Sequence, residues 1–117
     1  MATYSKIPLS GSLNGKQIII TAVTSGSANP IHTAIAGAVS MDEVWLYAYN
    51  DATASVQVNV LWGGTVEPNN VYRSTILARS GRTLIADGML IQNGNLISAY
   101  AQVSASIMID GFVNRIT

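Results

Sequence analysis

The fold class of this chain follows from one stretch, Thr83–Ile116, which reads TLIADGMLIQNGNLISAYAQVSASIMIDGFVNRI. Its centre, Asn93-Gly94-Asn95, is a turn signal, because these residues adopt positive φ angles at little cost and let the chain reverse quickly. After the turn, apolar and polar residues alternate with a period of two, which is typical of a strand with one face in a core. The apolar members are Ile97, Ala99, Ala101 and Val103. The stretch therefore predicts a strand, a tight turn, a second strand and a further strand.

The last strand of this stretch contains the pair Asp110-Gly111, which allows two interpretations. The pair is either the turn of a hairpin or a bulge that shifts the register of a continuing strand. We favour the bulge, because the tail that follows is too short to form a useful separate strand.

Short strands separated by turn signals continue through the rest of the chain. The segment Lys16–Thr24 contains three consecutive isoleucines, which are β-branched and predict a strand buried on both faces. The turn Asn50–Ala54 lies between two alternating segments and predicts that they pair as a hairpin. No run sustains a helical period. One further predicted strand starts at Ile31 and ends near Gly37. Three others span Asp42–Asn50, Val56–Trp62 and Val71–Leu77.

About eight short strands at regular spacing, with turn signals between them, indicate an all-β sandwich or barrel. A chain of 117 residues is one domain of ordinary size. We predict that this domain covers residues 14–117. Residues 1–13 are predicted to form an extended N-terminal arm, since Pro8 lacks a backbone donor and Gly11 weakens any regular element.

The composition is unusual for a freely diffusing protein. Only 10% of the residues are charged and the net charge is zero, whereas about 25% is typical of soluble domains. Hydrophobic residues make up 49%. One explanation is a β-rich protein whose exposed positions carry uncharged polar side chains. We favour the other, that partners cover part of the surface in an obligate oligomer or a large assembly.

The predicted strand Asp42–Asn50 carries three aromatic residues on its outward face, namely Trp45, Tyr47 and Tyr49. Such a row can bind sugars or bases by stacking. More often it packs against a second sheet or a subunit, and we favour packing because aromatic residues dominate burial in cores and interfaces. The three residues are therefore candidates for a subunit interface.

The arm supplies three further interface candidates, Tyr4, Ile7 and Leu9. Apolar residues along an extended segment need a surface to cover them. The arm is expected either to lie across its own domain or to reach a neighbouring subunit, and the sequence does not decide between the two.

Residues suited to catalysis or metal binding are sparse. His32 is the one histidine and there is no cysteine, so neither a usual zinc site nor a disulfide framework is predicted. His32 is expected to be a solvent-facing or hydrogen-bonded loop residue. The aspartates at positions 51, 87 and 110 lie in turns, where carboxylates cap backbone groups. We therefore predict a non-enzymatic protein without cofactor or metal.

Nucleic acid and membrane partners are not expected either. The six basic residues are balanced by six acidic residues and form no basic patch. No segment approaches the roughly 20 apolar residues that a membrane helix needs, and the start has no apolar run typical of a signal peptide. The sequence predicts a soluble protein made in the cytoplasm.

Two segments resemble a known family. The pattern VWLYAYN (Val44–Asn50), a short turn and VQVNVLW (Val56–Trp62) is similar to a hairpin of small β-sandwich virion proteins of tailed bacteriophages. The closing pattern LIQNGNLISAYA (Leu90–Ala101) followed by IMIDGFVNRI (Ile107–Ile116) resembles the ending of jelly-roll capsid decoration, or cement, proteins. The resemblance covers about residues 40–117 and lies in residue types rather than in a diagnostic motif. Related sandwiches also occur in phage fibres and lectin-like domains.

The resemblance implies a jelly-roll-like β-sandwich of about eight antiparallel strands. It also implies a homotrimer on the outer capsid surface of a virion, synthesised in the host cytoplasm, that clamps neighbouring copies of the major capsid protein. The alternative is a carbohydrate- or receptor-binding module of a fibre, which would use the aromatic row as a platform for a surface glycan.

Overall fold

A computed structural model describes residues 2–117 of the chain. Within this range the chain forms nine β-strands and one short 3-10 helix, Ser25–Ser27. The strands are β1 (Tyr4–Pro8), β2 (Ile18–Ile20), β3 (Asn29–Thr33), β4 (Met41–Asn50), β5 (Val56–Trp62), β6 (Val71–Ile76), β7 (Thr83–Ile91), β8 (Leu96–Ala101) and β9 (Ile107–Ile116).

The strands form two antiparallel sheets. Sheet A has the order β1-β9-β4-β7, and β2 pairs with the part of β9 that β1 leaves free. Sheet B has the order β3-β8-β5-β6. If β1 and β2 are counted as one interrupted strand, eight antiparallel strands cross between the two sheets in the order of a jelly roll. The predicted all-β, jelly-roll-like sandwich is confirmed.

The core lies between the inner faces of the two sheets, as the alternation predicts. Val44, Leu46 and Ala48 of β4 are fully buried, and so are Ile97 and Ala99 of β8. Along β4 every second side chain points inward, because successive Cβ atoms point to opposite faces of a sheet. The inner face of β4 also begins and ends with a buried polar residue, and these two residues organise the ends of the sandwich.

The predicted hairpin around Asn50–Ala54 is wrong, because β4 belongs to sheet A and β5 to sheet B. The connection is an arch between the sheets. The buried Asn50 amide holds it by donating to the carbonyl oxygens of Ala54 and Ile76, and its carbonyl oxygen accepts the Ala52 N–H. The Asn93-Gly94-Asn95 turn likewise joins β7 of sheet A to β8 of sheet B. A local turn signal reports a reversal, and the pairing of the two strands depends on the whole fold.

Two details of strand burial and register also differ from the predictions. The strand predicted over Lys16–Thr24 is only Ile18–Ile20, and Ile19 is 51% exposed, because β2 lies at a sheet edge. The last strand continues through Asp110-Gly111, as predicted, but its pairing with β4 is unbroken and shows no bulge. Gly111 is needed for a different reason: a Cβ at this position would overlap the carbonyl oxygen of Trp45.

The N-terminal residues are built into the sandwich. β1 pairs with the C-terminal half of β9, and the backbones of Thr3 and Thr117 are hydrogen-bonded to each other. The crossing segment (Leu9–Ser12) then passes from the edge of sheet A to the edge of sheet B. Its first side chain, Leu9, is 1% exposed and belongs to the core. Of the two placements expected for the arm, the chain adopts the one across its own domain.

Candidate functional site

The outward side chains of sheet A form a continuous surface, here called the sheet A face. The antiparallel register places the outward residues of neighbouring strands side by side, so they can be read across the sheet in rows. Trp45 of β4 lies beside Phe112 of β9 and Asp87 of β7, and Tyr47 lies beside Asp110 and Leu84. Further outward residues of this face are Tyr4, Lys6, Pro8, Ile19, Met41, Glu43, Tyr49, Leu90, Met108, Asn114 and Ile116.

Trp45 is the structural centre of the sheet A face. Its indole stacks on Phe112 with ring centroids 6.1 Å apart and planes inclined by 13°. On the other side the indole lies over Gly88, where an added Cβ would come within 2.9 Å of the ring. The indole N–H donates to Glu43 Oε1 at 3.0 Å. The ring therefore lies flat on the sheet and is held in place on three sides.

The two tyrosines of the row are also engaged within the chain. The guanidinium of Arg82 lies 4.0 Å from the centroid of the Tyr47 ring and pairs with Asp110 at 3.2 Å. The Tyr49 hydroxyl donates to Asp51 at 3.0 Å. This hydrogen bond raises the pKa of Tyr49, because it stabilises the protonated phenol beside a carboxylate. In this conformation Arg82 covers one face of the Tyr47 ring.

Glu43 and Asn114 form the polar part of the sheet A face. Asn114 donates to Glu43 Oε1 at 3.0 Å, the same oxygen that accepts the Trp45 N–H. These two hydrogen bonds lower the pKa of Glu43, since both stabilise the carboxylate. Both residues line a shallow depression beside β1. Its other lining residues are Tyr4, Ser5, Lys6 and Ile116.

The margins of the sheet A face are apolar and open to solvent. Tyr4 is 73% exposed, Leu90 56%, Ile19 51% and Leu84 46%. Large apolar side chains on both edges, with aromatic rings between them, make a surface that resembles the core of a protein interface more than an ordinary solvated sheet.

The sequence-based candidates are only partly brought together. Tyr4 lies on the sheet A face with Trp45, Tyr47 and Tyr49, whereas Ile7 packs against the core and Leu9 lies within it. Leu9 is therefore not available to a neighbouring subunit in this conformation.

Several members of the sheet A face were missed at the level of sequence. They are Phe112, Met108, Leu84 and Leu90. Their alternation with buried neighbours was a usable signal in β9, where Met108 and Phe112 alternate with Ile109 and Val113. It was not usable in β7, where the pairing with β4 shifts register twice.

A second polar arrangement is buried at the N-terminal end of β4, on its inward side. The Asp42 carboxylate is fully buried and receives two hydrogen bonds from Arg115, at 2.8 and 2.9 Å. His32 Nε2 lies 2.7 Å from Asp42 Oδ2, and the Ile35 N–H donates to the same oxygen at 3.1 Å. Burial raises the pKa of Asp42, but the hydrogen bonds from Arg115 and His32, the Arg115 charge and the Ile35 N–H outweigh it, so the pKa is lowered.

The expectation for His32 is half right, since the side chain is hydrogen-bonded but 1% exposed rather than solvent-facing. The register of β3 on β8 shifts between Pro30 and His32, so Ile31 and His32 both point inward. His32 and Asp42 do not form a serine triad. The neighbouring Ser10 presents its backbone N–H to the ring, and its hydroxyl oxygen accepts the Thr33 N–H. The cluster joins the two sheets.

The outer face of sheet B carries a third polar cluster. Glu67 accepts a hydrogen bond from Arg73 at 2.6 Å and one from the Tyr100 hydroxyl at 2.5 Å, and Arg73 also donates to Asn59. Burial and the bond to Glu67 raise the pKa of Tyr100, while Tyr100 and Arg73 lower the pKa of Glu67. These bonds fasten the β5–β6 connection to the sheet.

Within residues 2–117, no helix is long and apolar enough to span a membrane. The same residues contain no group of three or more histidine, cysteine, aspartate or glutamate side chains placed to hold a metal ion. Comparison of the chain with protein-family models, curated protein sequences and solved structures finds no match.

Proposed function

We propose that this protein is a non-enzymatic virion structural protein, a capsid decoration or cement protein, that works through the sheet A face. The observation that carries the proposal is the continuous surface of apolar and aromatic side chains across sheet A, above which none of residues 2–117 lies. The low charge content of the sequence points in the same direction, because a surface covered by partners needs few charges.

The size of the sheet A face suits a stable contact. β4 contains 10 residues, which at about 3.3 Å per residue give about 33 Å. Four strands spaced about 4.8 Å apart give a width of about 19 Å, so the face has an area on the order of 600 Å². A standard protein interface buries roughly 800 Å² on each partner. About 600 Å² on each partner, or about 1,200 Å² in total, lies at the lower limit of specific protein interfaces.

The mechanism of this function is mechanical. Each copy would bury apolar surface against its neighbours and across boundaries between major capsid subunits. The free energy of that burial is then added to the cost of separating the subunits. A homotrimer on the outer capsid surface, with the protein synthesised in the host cytoplasm, is the arrangement that the family resemblance implies. Tyr4, Trp45, Tyr47 and Tyr49 are the proposed contact residues.

The test combines a mass with a binding assay. Light scattering on the purified protein should give a discrete oligomer, and three chains of 12.3 kDa each are expected. Capsids that lack the protein should bind it. Replacing Leu84 and Leu90 by Glu should abolish assembly and binding without changing the melting temperature, because both side chains are exposed in the single chain.

The matched control is Leu77→Glu, because Leu77 is 62% exposed but lies outside the strands of sheet A. It should leave mass and binding unchanged. A wild-type monomer that does not bind such capsids would contradict the proposal.

A carbohydrate-binding module is the second candidate, and one observation favours it. A depression at the end of the sandwich combines the Trp62 ring with the carboxamides of Asn70, Gln92 and Asn95, and no charged side chain lines it. Aromatic rings and neutral amides suit a neutral sugar. Loss of glycan binding in Tyr47→Ala/Tyr49→Ala, with the oligomer intact, would support the aromatic row as the platform. Loss of glycan binding only in Trp62→Ala would place the sugar site in the depression.

A further inference from the structure

The crossing segment (Leu9–Ser12) is attached to sheet B by three hydrogen bonds. The Ser10 N–H donates to His32 Nδ1 at 3.0 Å, the Gly11 N–H donates to the Ile31 carbonyl at 2.8 Å, and the Thr33 N–H donates to the Ser10 hydroxyl at 2.7 Å. Among the side chains in these bonds, only the His32 imidazole changes its protonation state near neutral pH.

The protonation state of His32 follows from its partners. A backbone N–H can only donate, so Nδ1 must carry a lone pair toward Ser10, and the ring is the neutral tautomer with its proton on Nε2. That proton is donated to Asp42 Oδ2. The ionisable groups that face the ring are Asp42 from β4 and, through Asp42, Arg115 from β9. The crossing segment and β3 contribute only backbone groups and hydroxyls to these contacts.

A second proton on His32 would disturb this arrangement in two ways. It would place an N–H on Nδ1 opposite the Ser10 N–H, so that two donors meet where a hydrogen bond was. It would also change the cluster of Asp42, Arg115 and His32 from zero net charge to one buried positive charge, which is costly without an added partner. Moving Ser10 away relieves the clash of donors and admits water to the ring.

We propose that the neutral His32 ring holds the crossing segment in place, and that protonation of the ring releases Leu9–Ser12 from the edge of sheet B. Leu9 then leaves the core and the edge of β3 is uncovered. β1 stays in place because it has its own pairing with β9. The released segment would be free to contact a neighbouring chain. This device does not depend on the proposed virion function.

The test uses two signals of the unmodified protein in one pH series, from about pH 7.5 to about pH 5, where histidines ordinarily change charge. His32 is the one histidine of the chain, so its ring resonances report its protonation without ambiguity. Hydrogen exchange of the Ser10 amide, corrected for the intrinsic effect of pH, reports release. We expect the protection of Ser10 to fall at least about tenfold, with the same midpoint as the ring titration. Protection of the β4 amides should stay unchanged.

Three results would overturn the proposal: a His32 ring that stays neutral over this range, a Ser10 amide that stays protected while the ring titrates, or equal loss of protection at Ser10 and in β4, which is global unfolding. The variant His32→Asn provides a non-titrating comparison, since its side-chain oxygen can accept the Ser10 N–H. Its Ser10 protection should not depend on pH. If this variant does not fold, the coincidence of the two midpoints in the unmodified protein still decides.

Discussion

At the scale of single residues, the sandwich depends on a few positions where the surrounding structure restricts the residue type. Gly111 lies in β9 directly opposite Leu46, and the carbonyl of Trp45 approaches so closely that a methyl group has no space. Gly88 leaves room for the Trp45 indole on the sheet A face. Asp42 is a buried charge that is tolerated because Arg115, His32 and a backbone N–H satisfy its oxygens.

The substitution Gly111→Ala tests the close approach of β9 to β4. It should lower the free energy of unfolding by about 2–4 kcal/mol, since the added Cβ meets backbone atoms and the φ of 157° favours glycine. Urea denaturation gives the measurement. Gly26→Ala is the control, because a Cβ there meets nothing within 4 Å. Equal stability of the two variants would show that the strands can move apart without cost.

The lowered pKa of Asp42 makes the free energy of unfolding depend on pH. Its pKa is lowered in the folded state from an ordinary value of 3.8, so its stabilising effect is complete above that value and is lost as the pH falls below it. Asp42→Asn should cost about 3–5 kcal/mol at neutral pH, because Arg115 loses its charged partner. The difference from wild type should shrink in urea denaturation below about pH 4.

The control for this charge effect is Asp87→Asn, since Asp87 is exposed and forms no ion pair with residues 2–117. The free energy of unfolding of Asp87→Asn should change with pH in the same way as that of wild type. A constant difference between Asp42→Asn and wild type down to pH 3 would contradict the role of the carboxylate charge.

At the scale of elements, the connections between sheets determine the architecture. The arch after β4 is held by one buried amide, Asn50, and the N-terminal residues close the opposite side as an edge strand and a crossing segment. Removing residues 2–10 would therefore remove β1 and a core side chain, so such a truncation tests folding as well as assembly. Single substitutions separate the two roles.

Leu9→Ala tests whether the crossing segment is part of the core. Because Leu9 is 1% exposed, truncation should cost about 2–5 kcal/mol in the free energy of unfolding. Leu13→Ala is the matched control, since Leu13 is 71% exposed and its truncation should change stability by less than about 0.5 kcal/mol. Thermal or urea unfolding provides the measurement. If Leu9→Ala leaves the free energy of unfolding unchanged, the crossing segment does not occupy this position in solution.

At the scale of the whole molecule, the distribution of polar groups matters more than their number. The charged side chains at the sheet A face are largely paired within the chain or lie over aromatic rings, as Lys6 does over Phe112 and Arg82 over Tyr47. Between them lies apolar surface that this chain does not bury itself. Association through such a face is governed by removal of apolar area from water.

The proposed association should therefore respond weakly to salt. Raising sodium chloride from about 0.05 M to about 0.5 M should change the dissociation constant by less than about threefold, because few unpaired charges contribute. Sulfate should strengthen association. Sedimentation equilibrium provides the measurement. Dissociation by sodium chloride would assign the contact to ion pairs instead of the apolar face.

The sequence by itself determined most of the strands and most of the core, including Val44, Leu46, Ala48 and Ile97, because alternation is a local property of an extended chain. It also identified Trp45, Tyr47 and Tyr49 as one outward row, for the same reason.

Only the tertiary structure decided which turns join strands of different sheets, since the residues of a turn favour a reversal and not a pairing partner. The buried cluster of Asp42, His32 and Arg115 could not be predicted from the sequence either. Asp42 lies 10 residues from His32 and 73 from Arg115, and no local pattern reports contacts that form only when two sheets close on each other.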